Sequence, residues 1–132
     1  MQIGASLASE GKHGLPLPAA LYLAPRYGYS RGCEDPARRR AIALLERFAE
    51  RLLAGQSRGG PYYFGSELTA LDVYSAVALP GLGAFVAEGD VQPAFRAGFE
   101  WLANDLADHV PKALLDHRRL VFDRHLECPI QL

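Results

Sequence analysis

The chain has 132 residues, of which 49% are hydrophobic and 22% charged, and its formal net charge is −1. This composition is typical of a soluble globular domain, and it argues against a disordered chain or a basic nucleic-acid-binding protein. No apolar run approaches the roughly 20 residues that cross a bilayer, and the first residues do not form a signal peptide. We therefore expect one domain over residues 1–132, in the cytoplasm, without nucleic-acid or membrane partners.

The N-terminal part, residues 1–34, favours only short helical pieces. Pro16, Pro18 and Pro25 interrupt it, together with several glycines, and proline disfavours helix at the residue before it as well as at its own position. We expect one short helix near 17–26 and the last turns of a truncated first helix around 3–10.

The first long helix is predicted over residues 36–54. Asp35 is the expected N-cap, Pro36 suits the first helical position, and Gly55 is a natural stop. Between them, apolar residues recur at steps of three and four and form one stripe: Ile42, Leu45, Phe48, Ala49 and Leu52.

A capping box predicts the start of a second helix, over about 70–79. The Thr69 side chain can accept a hydrogen bond from the N–H three residues on, while the Asp72 carboxylate reaches back to the Thr69 N–H. Leu68 and Val73 are spaced as a hydrophobic staple, which fixes the angle of entry. Because this segment is apolar around most of its circumference, we expect it to be buried on nearly all sides.

Two further helices follow in the C-terminal half. One begins near Asp90 and carries Phe95, Phe99, Leu102 and Leu106 on one face. After a break near residues 108–111, the last helix covers about 111–126. Since no strand alternation of convincing length is present, the fold class predicted is all-α.

The order of these features resembles the C-terminal domain of glutathione S-transferases. The resemblance is clearest from residue 38 to 78, where a long helix, a Gly-rich loop and an aromatic segment precede the box at Thr69 and Asp72. It implies an orthogonal helical bundle in which these two residues serve folding rather than catalysis. Residues 15–29 also resemble a bacterial branch of the same superfamily.

Members of that family carry a thioredoxin-like domain in front of the helices, and it supplies the catalytic residue and most glutathione contacts. About seventy residues precede the box here, so we expect that domain to be absent. The resemblance then implies no catalytic residue and no cofactor in this chain, with glutathione bound only if a thioredoxin-like domain is supplied. It also implies that Tyr22, Tyr27 and Tyr29 face a hydrophobic-substrate pocket; the alternative is that these rings seal the core under a loop.

The histidines and cysteines give no clear site. His109, His117 and His125 are eight residues apart, and eight residues of helix rise about 12 Å, so His117 and His125 cannot share a metal ion. We expect surface or capping roles for them and no metal site. Cys33 and Cys128 lack metal spacing and fit a reducing compartment, although a bridge or a reactive thiol stays open.

The leading functional hypothesis is a non-catalytic helical module for hydrophobic-ligand binding or protein assembly. Its truncated first helix is expected to leave apolar surface uncovered, which favours a homodimer. The alternative is a fragment, or a separately encoded half, of a transferase that conjugates glutathione to hydrophobic electrophiles with a thioredoxin-like partner domain. A third possibility is a remnant without any ligand.

Overall fold

The computed structural model describes residues 1–78, 100–101 and 104–126, and this part of the chain is helical without a sheet. The helices are α1 (Gln2–Ala8), α2 (Leu17–Arg26), α3 (Glu34–Gln56), α4 (Ala70–Ala78) and α5 (Lys112–His125). Residues 104–106 are also helical and lead into a 3-10 turn, Ala107–His109. The predicted all-α class is confirmed, while the orthogonal arrangement stays a prediction.

Among the described helices, none is both long enough and apolar enough to span a membrane. A single isolated bridge pairs Tyr62 with Gly65 in the loop between α3 and α4. It closes that loop into a tight turn with bonds of 3.0 and 3.2 Å between the two backbones.

The short N-terminal helices agree with the sequence prediction. α2 has the predicted bounds, and α1 ends at Ala8, two residues before the expected end. The two helices pack against each other. Ser6 is fully buried in α1 and donates a hydrogen bond to the Gln2 carbonyl at 2.9 Å.

α3 differs from the prediction at both ends. Its N-cap is Cys33, and Asp35 lies inside the first turn without a capping hydrogen bond, so the prediction of Asp35 as the cap is wrong. Pro36 is tolerated there because the first helical N–H groups have no intrahelical acceptor.

The predicted stop at Gly55 is also wrong, because the helix continues through it to Gln56. Gly55 is buried against the loop that follows. A Cβ at this position would lie 2.2 Å from the carbonyl oxygen of Tyr63. The glycine therefore permits a close approach of the loop to the helix and does not end the helix.

Two apolar clusters hold α3, α4 and α5 together. The larger cluster joins the α3 stripe to the loop and to α5 through Leu45, Ala49, Leu52, Tyr63 and Leu114. The smaller cluster contains Tyr62, Ala76 and Val121. Both clusters include an aromatic residue of the loop, so the loop before α4 is part of the core.

The prediction that α4 is buried on nearly all sides is wrong. Asp72 and Ala76 are buried, whereas Ala70, Tyr74 and Ala78 are exposed, and Tyr74 retains 73% of its surface. The exposed residues are four apart and so share one face of the helix. Among the described residues, α4 is an amphipathic helix.

The C-terminal predictions divide into two groups. Residues 90–99 and Leu102 of the helix expected from Asp90, and with them Phe95 and Phe99, lie outside the described residues. Residues 100–101 and 104–106 are helical, as expected for the end of that helix, and Leu106 is fully buried. α5 agrees with the predicted range 111–126 to within one residue at each end. Pro111 precedes it as the N-cap, and Leu114 and Val121 are both buried.

Candidate functional site

A fully buried carboxylate lies at the start of α4. Asp72 Oδ2 accepts hydrogen bonds from the Thr69 N–H at 2.8 Å and from the Thr69 hydroxyl at 2.7 Å. Asp72 Oδ1 accepts from the Tyr63 N–H at 3.0 Å and from His117 Nε2 at 2.8 Å. One side chain thus joins the loop before α4, α4 itself and α5.

The Thr69 hydroxyl differs from the predicted capping box. It donates to the Asp72 carboxylate and does not accept from the Asp72 N–H, which bonds to the Thr69 carbonyl at 3.1 Å. A buried carboxylate offers about four acceptor positions, so a nearby hydroxyl is used as a fourth donor. Of the proposed staple residues, Leu68 is 37% exposed and Val73 is half-buried.

These donors determine the charge of the site. Burial alone raises the pKa of the Asp72 carboxyl, but hydrogen bonds from Thr69, Tyr63 and His117 favour the charged form more strongly. The pKa of Asp72 therefore lies below its usual range, and the side chain is ionised at neutral pH.

His117 is buried in the same site, so the prediction of a surface or capping role is wrong for it. Its ring packs edge-on against Tyr63 and Tyr62, with centroids 5.2 and 6.4 Å away. Since Asp72 accepts from Nε2, that nitrogen carries a proton, and Nδ1 has no hydrogen-bond partner among the described residues. Leu114, His117 and Val121 are spaced by three and four along α5, which is the pattern that could have placed this histidine inside.

The Asp72–His117 pair is well suited to holding the fold and poorly suited to catalysis. Both side chains have no exposed surface, so no substrate atom can approach within hydrogen-bonding distance. His125 is exposed and shares a hydrogen bond of 2.6 Å with the Tyr62 hydroxyl, while His109 is exposed on the 3-10 turn. Within the described ranges, no group of three metal-ligating side chains comes together.

An apolar pocket of 170 Å³ lies between α3, α4 and α5, and we call it the inner pocket. Its lining is Leu45, Phe48, Leu71, Tyr74, Ser75, Ala78 and Leu114. Among the described lining residues, Ser75 is the one without an apolar or aromatic side chain, and its hydroxyl lies 2.8 Å from the hydroxyl of Tyr63. The surface of the pocket is almost wholly apolar, which suits a small apolar molecule.

The Tyr63 hydroxyl beside the pocket stays protonated over a wide pH range. Burial raises the pKa of the phenol, and the negative charge of Asp72 raises it further, against the opposing effect of the hydrogen bond to Ser75. The phenol therefore acts as a neutral hydrogen-bonding group at neutral pH.

A second, more open cleft of 580 Å³ shares Phe48 and Leu71 with the inner pocket, and we call it the outer cleft. It is lined in addition by Leu44, Arg47, Glu50 and Arg51 of α3. The Arg51 guanidinium lies 5.3 Å from the ring centroid of Phe64. The two cavities thus share two lining residues, and the outer cleft carries the cationic side chains.

The three tyrosines predicted to face a ligand have separate environments. Tyr22 is 59% exposed with the Arg26 guanidinium 4.4 Å from its ring centroid, and the Tyr29 hydroxyl donates to Glu34 at 2.5 Å. Tyr27 is 76% exposed and lines a shallow groove of 350 Å³ beside α1. The structure therefore does not join these tyrosines in one pocket, and none of them lines the inner pocket.

Cys33 is a half-buried free thiol, and Cys128 lies outside the described residues.

Comparisons of this chain with protein-family models, with curated proteins and with solved structures gave no match. The resemblance to the glutathione S-transferase C-terminal domain therefore stays a prediction from the motifs around Thr69 and Asp72.

Proposed function

We propose that this chain is a helical module of the glutathione S-transferase C-terminal type that binds a small apolar molecule in the inner pocket and catalyses no reaction alone. The observation that carries the proposal is the inner pocket itself, an apolar space between three helices with the Ser75 hydroxyl in its wall. The inner pocket is a further candidate site beside Tyr22, Tyr27 and Tyr29, of which Tyr27 lines the groove beside α1.

The volume of the inner pocket limits the size of the ligand. A volume of 170 Å³ is close to that of an engineered apolar cavity of about 150 Å³ that binds benzene. A ligand of one or two fused rings fits this space. With about ten heavy atoms and roughly 0.4–0.6 kcal/mol per atom, the dissociation constant is expected between about 40 µM and 1 mM.

Calorimetric titration with 2-naphthol tests the proposal, since this probe combines two apolar rings with one hydroxyl that can bond to Ser75. Ala78→Phe should abolish binding, because Ala78 lines the pocket and is exposed at the end of α4. Ala70→Phe is the matched control, since Ala70 lies on the same exposed face two turns away and outside the pocket lining. Absence of saturable heat in the wild-type chain, or equal binding by both variants, would refute the proposal.

The isolated chain is also expected to conjugate no glutathione to an electrophile, because Asp72 and His117 are inaccessible and the described residues form no sheet of a thioredoxin-like domain. If the chain is one half of a transferase, glutathione would enter as a substrate of the complete assembly. A conjugation rate above background in the purified chain would contradict this part of the proposal.

Protein assembly is the second candidate function, and we place either activity in the cytoplasm. It is favoured by large apolar side chains on the surface of the described residues, among them Leu21 at 58% exposure and Leu53 at 54%. Light scattering after size-exclusion chromatography should then give a homodimer at micromolar concentration. A monomer at all concentrations would leave ligand binding as the sole proposal.

A further inference from the structure

The arginines of the outer cleft indicate the chemical class of the ligand. We propose that the ligand is an amphipathic monocarboxylate whose ring system occupies the inner pocket and whose carboxylate lies in the outer cleft beside Arg47 and Arg51. This inference rests on the proposed function, because it assumes that the inner pocket is occupied.

The first step is the lining that the two cavities share. Phe48 and Leu71 line both cavities, so a ligand that contacts these two side chains lies next to both the apolar space and the cationic space. Arg47 and Arg51 are four residues apart on α3, and residues at this spacing lie on one face of a helix about 6 Å apart. Two guanidinium groups thus line the same cleft.

The second step is charge. The ion pairs between described residues do not include Arg47 or Arg51. Arg51 stacks against the Phe64 ring, which orders its planar fork, and a planar guanidinium binds a carboxylate through two parallel hydrogen bonds. The outer cleft therefore has cationic groups available for an anion.

The third step concerns the number of charges on the ligand. Glu50 is the one acidic residue in the described lining of the outer cleft, so the three charged side chains there sum to +1. This value matches a monoanion, whereas a dianion such as a phosphate monoester would retain one uncompensated charge close to Glu50. The apolar wall of the inner pocket excludes a second charged group at the other end of the molecule.

The experiment compares 1-naphthoate with 1-naphthalenemethanol, which carry the same ring system and differ in the charge of the substituent. We expect the wild-type chain to bind naphthoate about tenfold more tightly than the alcohol. The double variant Arg47→Met, Arg51→Met should lose that preference and bind the alcohol within about twofold of the wild type. Arg58→Met is the control for loss of positive charge, since Arg58 is exposed in the loop after α3, outside both linings, and should change neither affinity.

The outcomes separate the two proposals. Equal affinity of the wild type for both compounds would overturn the carboxylate inference and leave the apolar site intact. A naphthoate preference that survives in the double variant would also overturn it, because the charge would then be recognised elsewhere. If neither compound binds, the proposed function fails and the inference fails with it. Unchanged binding of the alcohol shows that the double variant is folded.

Discussion

Replacing Asp72 by alanine is the most informative test of how the fold is held together. In the native structure this carboxylate accepts four hydrogen bonds, two from Thr69, one from the Tyr63 amide and one from His117. Asp72→Ala removes all four acceptor positions and leaves a small space in the middle of the domain.

The loss of stability depends on which of the four donors can find another hydrogen-bond acceptor. Thr69 is half-buried, so water can reach its N–H and hydroxyl at modest cost. Tyr63 and His117 are buried, and each unsatisfied buried polar group costs about 1–3 kcal/mol. We therefore expect Asp72→Ala to lower the free energy of unfolding by about 3–5 kcal/mol, from two such buried groups and a smaller cost at Thr69. The whole free energy of unfolding of a typical domain is about 5–15 kcal/mol.

Urea unfolding followed by far-ultraviolet circular dichroism measures this change. The control is Asp116→Ala on α5, whose carboxylate pairs with Lys112 on the surface, with side-chain exposures of 53% and 84%. That variant should change the free energy of unfolding by less than about 1 kcal/mol. If the two alanine variants differ by less than about 1 kcal/mol, the four bonds to Asp72 do not hold the fold and the reasoning is refuted.

Three more outcomes follow from the same region. Because the pKa of Asp72 is lower in the folded state, its contribution to stability is complete above about pH 4 and is lost as the pH falls through the folded pKa. Asp72→Asn should therefore flatten the dependence of the urea midpoint on pH between about 2 and 4. An unchanged slope in this variant would contradict the role of Asp72. Because the pKa of Tyr63 is raised, its contribution to stability is present below about pH 10 and is lost at higher pH. Tyr63→Phe should therefore weaken the loss of stability at alkaline pH, and an alkaline profile identical to that of the wild type would exclude this role of Tyr63. A Gly→Ala change in an ordinary helix stabilises by about 0.5–1 kcal/mol. Gly55→Ala should instead lower the thermal midpoint by several degrees, because the new Cβ would lie 2.2 Å from the Tyr63 carbonyl oxygen. Ala54→Ser, at the exposed neighbouring position, should change the thermal midpoint little, and a higher midpoint for Gly55→Ala would refute the close approach.

Local signals in the sequence predicted most of the described helices. Proline spacing limited α2 to Leu17–Arg26, and Pro111 with the apolar spacing after it predicted α5. The bounds of these helices depend on residues that are close together in the sequence, so they could be predicted from it. The N-cap of α3 was predicted two residues too late, because capping propensity favours Asp35 over Glu34 and Cys33, whereas this helix begins after Cys33 without a side-chain cap.

The site was predicted less well because its parts are distant in sequence. The box at Thr69 and Asp72 was visible, but the third partner, His117, lies 45 residues after Asp72. Its position on the buried stripe of α5 was a usable signal, although the eight-residue spacing of the histidines pointed to the surface instead. Gly55 had the pattern of a helix stop, and only the packing of the loop shows why a side chain cannot stand there.

The inner pocket required the mutual placement of three helices. Periodicity predicts which residues of α3 and α4 are apolar, but it does not give the distance between the helices. Ser75 is, with Asp72, a polar residue in a mainly apolar helix, and its hydrogen bond to Tyr63 gives its position a structural reason. The ligand candidates Tyr22, Tyr27 and Tyr29 came from the resemblance and not from any periodic pattern. They do not line the inner pocket, although Tyr27 lines the groove beside α1.

The most direct test of ligand binding in the inner pocket is a two-dimensional amide NMR titration of the whole chain with 2-naphthol. Saturable shifts are expected at Leu45, Ser75 and Leu114, which line the pocket, and these shifts should be lost in Ala78→Phe. Shifts concentrated instead around Tyr22, Tyr27 and Tyr29, or no saturable shift at millimolar probe, would contradict binding in the inner pocket.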